Sequence, residues 1–270
     1  KQSGKCWETR LLAELKKIGF CRCDYDPCLF RMTAEAEIIY IGVYVDDLII
    51  ASSTDQLRES VVDSLKQAFE VKDTGLLTWI LGSAIHQDLV NDTVSLDQLL
   101  YIEDIMQTFL PEEIKSPKKG RSLPCNETIL HLTNDTKPQD VHPLYRKIVG
   151  KLLWLVMVSR FDLAFAVSVL GRFNACGGAP HMEVALQVVR YAYCTRHFKV
   201  TYGPGRSTPL FNSILKNSGL KEEALSETSI LFFSDASQGG SKPMAGYLGY
   251  LFGGPFAWAG FRLPLTSLSS

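Results

Sequence analysis

Asp46 and Asp47 stand side by side in IIYIGVYVDDLIIASS, residues 38–53, between two runs of strand-forming apolar residues. Adjacent carboxylates repel, and apolar flanks offer no counter-charge, so one must titrate upward or a cation must neutralise both. Magnesium suits such a pair because it takes carboxylate oxygens together with substrate phosphates. Two divalent ions about 3.5–4 Å apart can activate a 3′-hydroxyl and stabilise a departing pyrophosphate. That chemistry needs carboxylates on a rigid scaffold, and a hairpin within a sheet is rigid. The competing reading is a plain solvent-exposed turn, since aspartate tolerates positive φ; turn chemistry alone, however, favours the less charged Asn-Gly or Asp-Gly. A calcium-binding acidic turn is a third reading, against which stands the need for six to eight oxygen ligands.

The elements that must position the pair follow from periodicity. Trp7, Leu11, Leu12, Leu15 and Ile18 recur at helical spacing, and Gly19 is placed to end that helix. DYDPCLF breaks the pattern and RMTAEAE supplies a polar turn, after which residues 38–45 and 48–51 form the strands around the aspartates. Thr54 can cap a second helix whose apolar face is Leu57, Val61, Leu65 and Phe69. TWILGSAIHQD reads as a strand leading to the NDT turn and another short strand, and a third helix carries Leu99, Ile102, Met106 and Phe109. Residues 111–142, rich in proline and charge, read as a linker. Apolar helices follow at about 144–158, 162–173 and 182–196, then a turn-rich stretch at 203–227. ILFFSD, MAGYLGYLF and PFAWAG close the chain as three strands joined by glycine-rich turns. The expected class is α+β.

A chain of 270 residues can bury a sizeable core and accommodates two domains. The formal net charge of −1 carries no global nucleic-acid signal, so any such surface must be local. Seven cysteines at irregular spacing, with no secretory leader, read as reduced intracellular thiols; CRCDYDPC has no histidine at zinc-ligand spacing. The apolar stretch at 148–171 contains Lys151, Arg160 and Asp162, and each mid-bilayer charge costs about 2.5–3.5 kcal/mol, which excludes a spanning helix. KQSGKCW at the front and LTSLSS at the end read as internal sequence of something longer.

Tyr-Val-Asp-Asp in an apolar run resembles the polymerase signature of reverse transcriptases. KQSGKCW, DYDPCLF, YVDDLIIAS and FEVKDTGLLTWILG follow one another as in the palm of a copia-type LTR-retrotransposon polymerase. LDQLLYIEDIMQTF, YRKIVGKLLWL, SRFDLAFAVSVLGRF and VVRYAY resemble the segment beyond the palm, and ILFFSDAS, AGYLGYLF, FAWAG and LTSLSS the opening of the ribonuclease H domain. The resemblance implies a reverse-transcriptase palm and start of the thumb over 1–110, a linker over 111–142, a helical thumb or connection region over 143–202, a linker over 203–227 and a truncated ribonuclease H-like α/β domain over 228–270. It implies magnesium (with manganese as a substitute) and deoxynucleoside triphosphates. The implied partners are an RNA template with a DNA primer or an RNA–DNA duplex and the rest of the Pol polyprotein, in an intracellular setting without a membrane.

By the same resemblance Asp46 and Asp47 are the metal-binding, catalytic pair and Tyr44 contacts the nucleotide or primer end, with strand packing as its alternative role. Lys72 is a candidate general acid for the pyrophosphate, or a solvated lysine. Trp79 and Leu81 in TWILG match the region that supports the primer, or else are core. Asp235 matches the first metal-binding carboxylate of a ribonuclease H site, but Ser237 stands where the family often has an aspartate, and no later acidic partner follows in the chain. The remaining palm carboxylate of the family lies before Lys1; Asp24, Asp26 and Asp162 are not convincing substitutes. Phosphate contacts call for basic residues: Lys1 and Lys5, then Lys115, Lys118, Lys119 and Arg121 in KSPKKGR, then Arg190, Arg196 and Lys199 interleaved with Tyr191 and Tyr193. His181 after Pro180 reads as structural. Two functional readings follow: an RNA-directed DNA polymerase, and a catalytically inactive remnant or co-opted fragment that at most binds nucleic-acid duplex.

Overall fold

The computed structural model describes residues 2–115, 122–134, 137, 140–204, 230–237 and 243–263. The chain is α+β, and it separates into two compact units, Lys1–Leu77 and Thr78–Ser270. The segment 1–110, expected as palm and start of the thumb, spans the first unit and the opening of the second, where Ile102, Ile105 and Met106 of α3 (Leu99–Phe109) are buried in the helical core.

In the first unit, α1 (Gln2–Ile18) ends where the sequence places Gly19, which adopts φ 108°. Four strands follow, β1 (Cys21–Arg22), β2 (Leu29–Ala34), β3 (Glu37–Tyr44) and β4 (Asp47–Ser52), antiparallel in that spatial order. RMTAEAE is mostly strand rather than turn. Phe30 is buried, Met32 packs inward and Arg31 and Thr33 point to the exposed side, the alternation of a half-buried strand. The turn shrinks to Glu35 and Ala36, with Glu35 at φ 53°. Thr54 Oγ1 accepts the Leu57 amide and caps α2 (Asp55–Ala68).

Both helices lie on one face of this sheet. Leu11 and Leu15 of α1 and Val61 and Leu65 of α2 join Phe30, Ile39 and Ile41 in one core, with Val43, Leu48 and Ile50 against it. Each fully buried side chain of this size contributes roughly 1.5–3 kcal/mol of transfer free energy. Residues of opposite parity face away from the helices, where Arg31, Tyr40, Tyr44 and Ala51 are exposed.

The second unit opens with a sheet of order β5-β6-β7-β8, made of β5 (Trp79–Ile80), β6 (Ser83–Asp88), β7 (Thr93–Asp97) and β8 (Val200–Tyr202). TWILGSAIHQD is thus two strands, divided by Leu81 and Gly82, both at positive φ as a tight two-residue turn requires. Helices α4 (Tyr145–Val158), α5 (Ala164–Gly171) and α6 (Ala179–Cys194) build the core with α3. The expected linker is anchored in part: Ile129 and Leu132 are buried in that core. Most of the second turn-rich stretch lies outside the described residues. The last strands, β9 (Leu231–Ser237), β10 (Met244–Leu251) and β11 (Gly254–Arg262), form an antiparallel sheet of order β11-β10-β9. Trp258 of β11 donates its indole N–H to the Val156 carbonyl of α4 at 2.7 Å.

Among the described residues Arg160 is the largest fully buried side chain. It forms a two-pronged pair with Asp162 at 2.9 and 2.8 Å, donates to Thr195 Oγ1 at 2.6 Å and to the Ala192 carbonyl at 3.3 Å, and lies over the rings of Tyr191 and Phe198. These bonds engage four of the five guanidinium N–H donors, and pairing of this kind is the condition for burying charge without a large penalty. No helix of the described residues is long and apolar enough to cross a membrane.

Candidate active site at the aspartate hairpin

The β3–β4 register runs from Ile39 opposite Ser52 to Tyr44 opposite Asp47. The two-residue turn is therefore Val45–Asp46, one position earlier than an Asp-Asp turn, and Asp47 is the first residue of β4. Val45 sits at φ 53°. For a β-branched residue this left-handed conformation is strained, by an amount on the order of 1–2 kcal/mol. The strain persists because the strands on either side are tied: Val43 N–H also bonds the Cys28 carbonyl, and Ile41 and Leu48 seat in or against the core.

The turn is also held from outside its own strands. Trp7 of α1 donates its indole N–H to the Val45 carbonyl at 3.0 Å. The Trp7 ring meets Phe69 edge-on at 5.1 Å, Arg10 lies 5.0 Å over Phe69, and Arg10 donates to the Ala68 carbonyl at 2.8 Å. Nothing in the sequence pattern distinguished Trp7 from its apolar neighbours on the helix; its partner is a backbone atom 38 residues away.

Asp46 and Asp47 are both exposed, and among the described residues neither carboxylate has an ion-pair or hydrogen-bond partner. Tyr44, half exposed, lies directly across from Asp47 and so shares its face of the sheet, the one turned away from α1 and α2. Two unpaired hard oxygen donors on a fixed turn fit a divalent cation whose other ligands are water or phosphate. Among the described residues no group of three or more His, Cys, Asp or Glu side chains is placed to hold a metal ion, so the pair is not joined by a third carboxylate there.

The other predicted positions are dispersed. Lys72 is exposed in the segment after α2 and makes no hydrogen bond or ion pair to the hairpin among the described residues. Trp79 and Leu81 are exposed to 49% and 39%, so neither is a core residue. Asp235 lies exposed on β9 opposite Gly246 and accepts the Ala236 amide at 2.8 Å. Lys1, Lys118, Lys119 and Arg121 lie outside the described residues.

The cations near the end of α6 are engaged by acids. Arg190 pairs with Glu113 at 2.9 Å and with Glu183 at 3.1 Å, Arg196 with Glu103 at 3.6 Å, and Lys199 with Asp97 at 3.5 Å. Tyr191, expected to stack beside them, belongs to the core, because the helical phase of α6 turns it inward toward Arg160. His181 is buried and structural: its Nδ1 accepts the Gly178 amide and its Nε2 donates to the Thr133 carbonyl.

A family model described as reverse transcriptase (RNA-dependent DNA polymerase) matches residues 1–115. A transposon Ty5-1 protein of Saccharomyces cerevisiae is 32% identical over 269 residues, covering 97% of this chain and 79% of the yeast protein. The retrovirus-related Pol polyproteins of transposon TNT 1-94 from Nicotiana tabacum and of transposon RE1 from Arabidopsis thaliana are 26% and 28% identical, covering 100% and 96% of this chain. Of those polyproteins' own lengths the chain spans 19% and 16%. No solved structure matches. The class is thus reverse transcriptase, and the chain belongs to the copia-type retrotransposon family of such enzymes.

Proposed function

We propose that this chain contributes the palm of an RNA-directed DNA polymerase, with Asp46 and Asp47 as the residues that hold magnesium for nucleotidyl transfer. The observation that carries the reading is the unpaired carboxylate pair on a braced turn, with Asp47 and Tyr44 on the sheet face that no helix of this unit covers. Magnesium bound there would supply the charge that activates a primer 3′-hydroxyl and stabilises the departing pyrophosphate. Asp46 and Asp47 fix the ions' place, and Tyr44 offers an aromatic surface to the primer end or the incoming deoxynucleotide. Lys72 is the proposed proton donor to pyrophosphate. Residues 143–202 take the role of thumb or connection, and residues 228–270 that of a ribonuclease H-like domain with Asp235 as a vestigial metal ligand. Lys118, Lys119, Arg121, Arg190 and Arg196 are the proposed contacts to the phosphates of an RNA–DNA duplex, the last two weaker because acids already hold them. The partners are template, primer and the remainder of a Pol polyprotein, within the cell.

A second reading, an inactive or co-opted chain that at most binds duplex, is favoured by one observation: no third carboxylate joins the pair among the described residues. Primer extension on an RNA template with magnesium, comparing the chain with Asp46→Asn, separates the two. Incorporation by the wild type alone supports the polymerase. Equal incorporation by both removes the hairpin from the chemistry, and duplex binding without incorporation by either supports the second reading.

A further inference from the structure

Among the described residues of the first unit, one side-chain hydrogen bond reaches the backbone of the Val45–Asp46 turn, and it comes from outside the sheet. The indole N–H of Trp7 meets the Val45 carbonyl at 3.0 Å. That carbonyl belongs to the peptide linking Val45 to Asp46, the residue whose carboxylate the proposed chemistry needs in place. Val45 is at φ 53°, a conformation its side chain resists, so the turn has a local incentive to relax. Relaxation would rotate the Val45–Asp46 peptide and carry the Asp46 side chain with it.

Trp7 is itself braced. Its ring packs edge-on against Phe69 just beyond α2, and Arg10, one turn further along α1, stacks on the far partner and bonds the Ala68 carbonyl. The donor is therefore fixed to both helices that carry the core, while the acceptor sits on an exposed turn whose valine is 69% exposed and adds little packing of its own. A phenylalanine at position 7 would keep an aromatic ring against Phe69, though a smaller one, and would supply no donor. The indole nitrogen is the part that packing does not explain.

We propose that Trp7 is a positioning residue for the aspartate hairpin: its N–H clamps the strained Val45–Asp46 peptide and thereby presents Asp46 and Asp47 together to a divalent cation. The inference rests on the reading of that pair as the metal site. It acts through the turn, since Trp7 touches no reacting atom.

The experiment uses the full chain in four forms: wild type, Trp7→Phe, Trp7 replaced by 3-benzothienylalanine, which keeps the bicyclic shape but lacks the N–H, and Asp46→Asn. Amide hydrogen exchange is read at residues 44–48 and, as a control, at the core positions of α1 and β3. Loss of one well-formed hydrogen bond should speed exchange at the turn roughly five- to tenfold in both Trp7 variants, with the core unchanged. Manganese titration followed by electron paramagnetic resonance should show several-fold weaker binding in both Trp7 variants and loss of the site in Asp46→Asn. Turn exchange and manganese affinity equal to wild type in the benzothienylalanine form would overturn the proposal and leave Trp7 a packing residue. If wild type and Asp46→Asn bind manganese alike, the metal reading fails by itself; the exchange at 44–48 then decides whether Trp7 clamps the turn.

Discussion

Tyr44 and Asp47 are direct partners across the β3–β4 hairpin, so the phenol and the carboxylate stand on the same face of the sheet. The opposite face is filled by Ile39, Ile41 and Val43 against two helices. This division follows from strand parity alone. A shift of β4 by one residue would turn Asp47 toward the core and carry Leu48 and Ile50 out of it, at a cost no turn preference could offset. The core thus dictates where the turn falls, and it falls on Val45 although valine resists the conformation.

Val45→Gly follows from that conflict. Glycine takes φ 53° without strain, and the valine is mostly exposed, so little burial is lost. The gain in the folded state is offset in part by the larger entropy of unfolded glycine. Urea unfolding should show stability unchanged or raised by about 1 kcal/mol. A loss of more than about 1 kcal/mol would mean that the turn is not strained as described.

Arg160→Ala should be among the most damaging substitutions in the second unit. It leaves Asp162 without its two-pronged partner, and Thr195 and the Ala192 carbonyl lose a donor. Truncating one member of a buried pair costs roughly 3–5 kcal/mol. Denaturant midpoints measure it; a loss under about 1 kcal/mol would show that the interior charge is dispensable.

Gly177→Ala tests a close approach. A Cβ at this position would enter the ring of Tyr145, which is fully buried and whose hydroxyl donates to the Leu170 carbonyl at 2.8 Å. Overpacking of this kind costs roughly 1–3 kcal/mol, and thermal unfolding should move accordingly. The double variant Gly177→Ala with Tyr145→Leu should lose less than the sum of the two single changes, because removing the ring removes the clash.

Acid should destabilise the second unit in two stages. Burial pushes the His181 imidazole below its ordinary pKa, against the opposing hydrogen bond to the Thr133 carbonyl. The unfolded chain therefore takes up a proton that the folded one refuses, and stability falls as pH drops below about 6.5. Asp97 is desolvated, which raises it, but the Leu99 amide, His86 and Lys199 together outweigh this and hold it below the ordinary carboxylate range. Its contribution is intact above about pH 4 and is lost as pH falls through the lowered value. Unfolding free energies from pH 8 to 3 should decline first near neutrality and again below 4; a flat profile between 7 and 5 contradicts the account of His181.

Much of the framework is legible in the sequence because it is written in periodicity. The Trp7 to Ile18 spacing, the Thr54 cap and the apolar runs around the aspartates give α1, α2 and the hairpin nearly as they stand. Less legible are features that depend on distant partners. RMTAEAE forms a strand because β3 pairs with it, and Ile129 and Leu132 are buried because helices remote in sequence receive them. The basic residues in and just after α6, Arg190, Arg196 and Lys199, look like a phosphate-binding run until Glu113, Glu103 and Asp97 arrive from other elements. For the site, residue identity was readable from Tyr-Val-Asp-Asp, whereas the Val45 turn and the Trp7 bond were not, since both arise from tertiary register.

Isothermal titration of magnesium, in competition with manganese, into the wild-type chain, Asp46→Asn and Asp235→Asn most directly tests the claim that the exposed carboxylates of the β3–β4 turn exist to hold a divalent ion. The account predicts a magnesium-displaceable manganese site in the wild type and in Asp235→Asn, and its disappearance in Asp46→Asn. Retention of that site without the Asp46 carboxylate would contradict it.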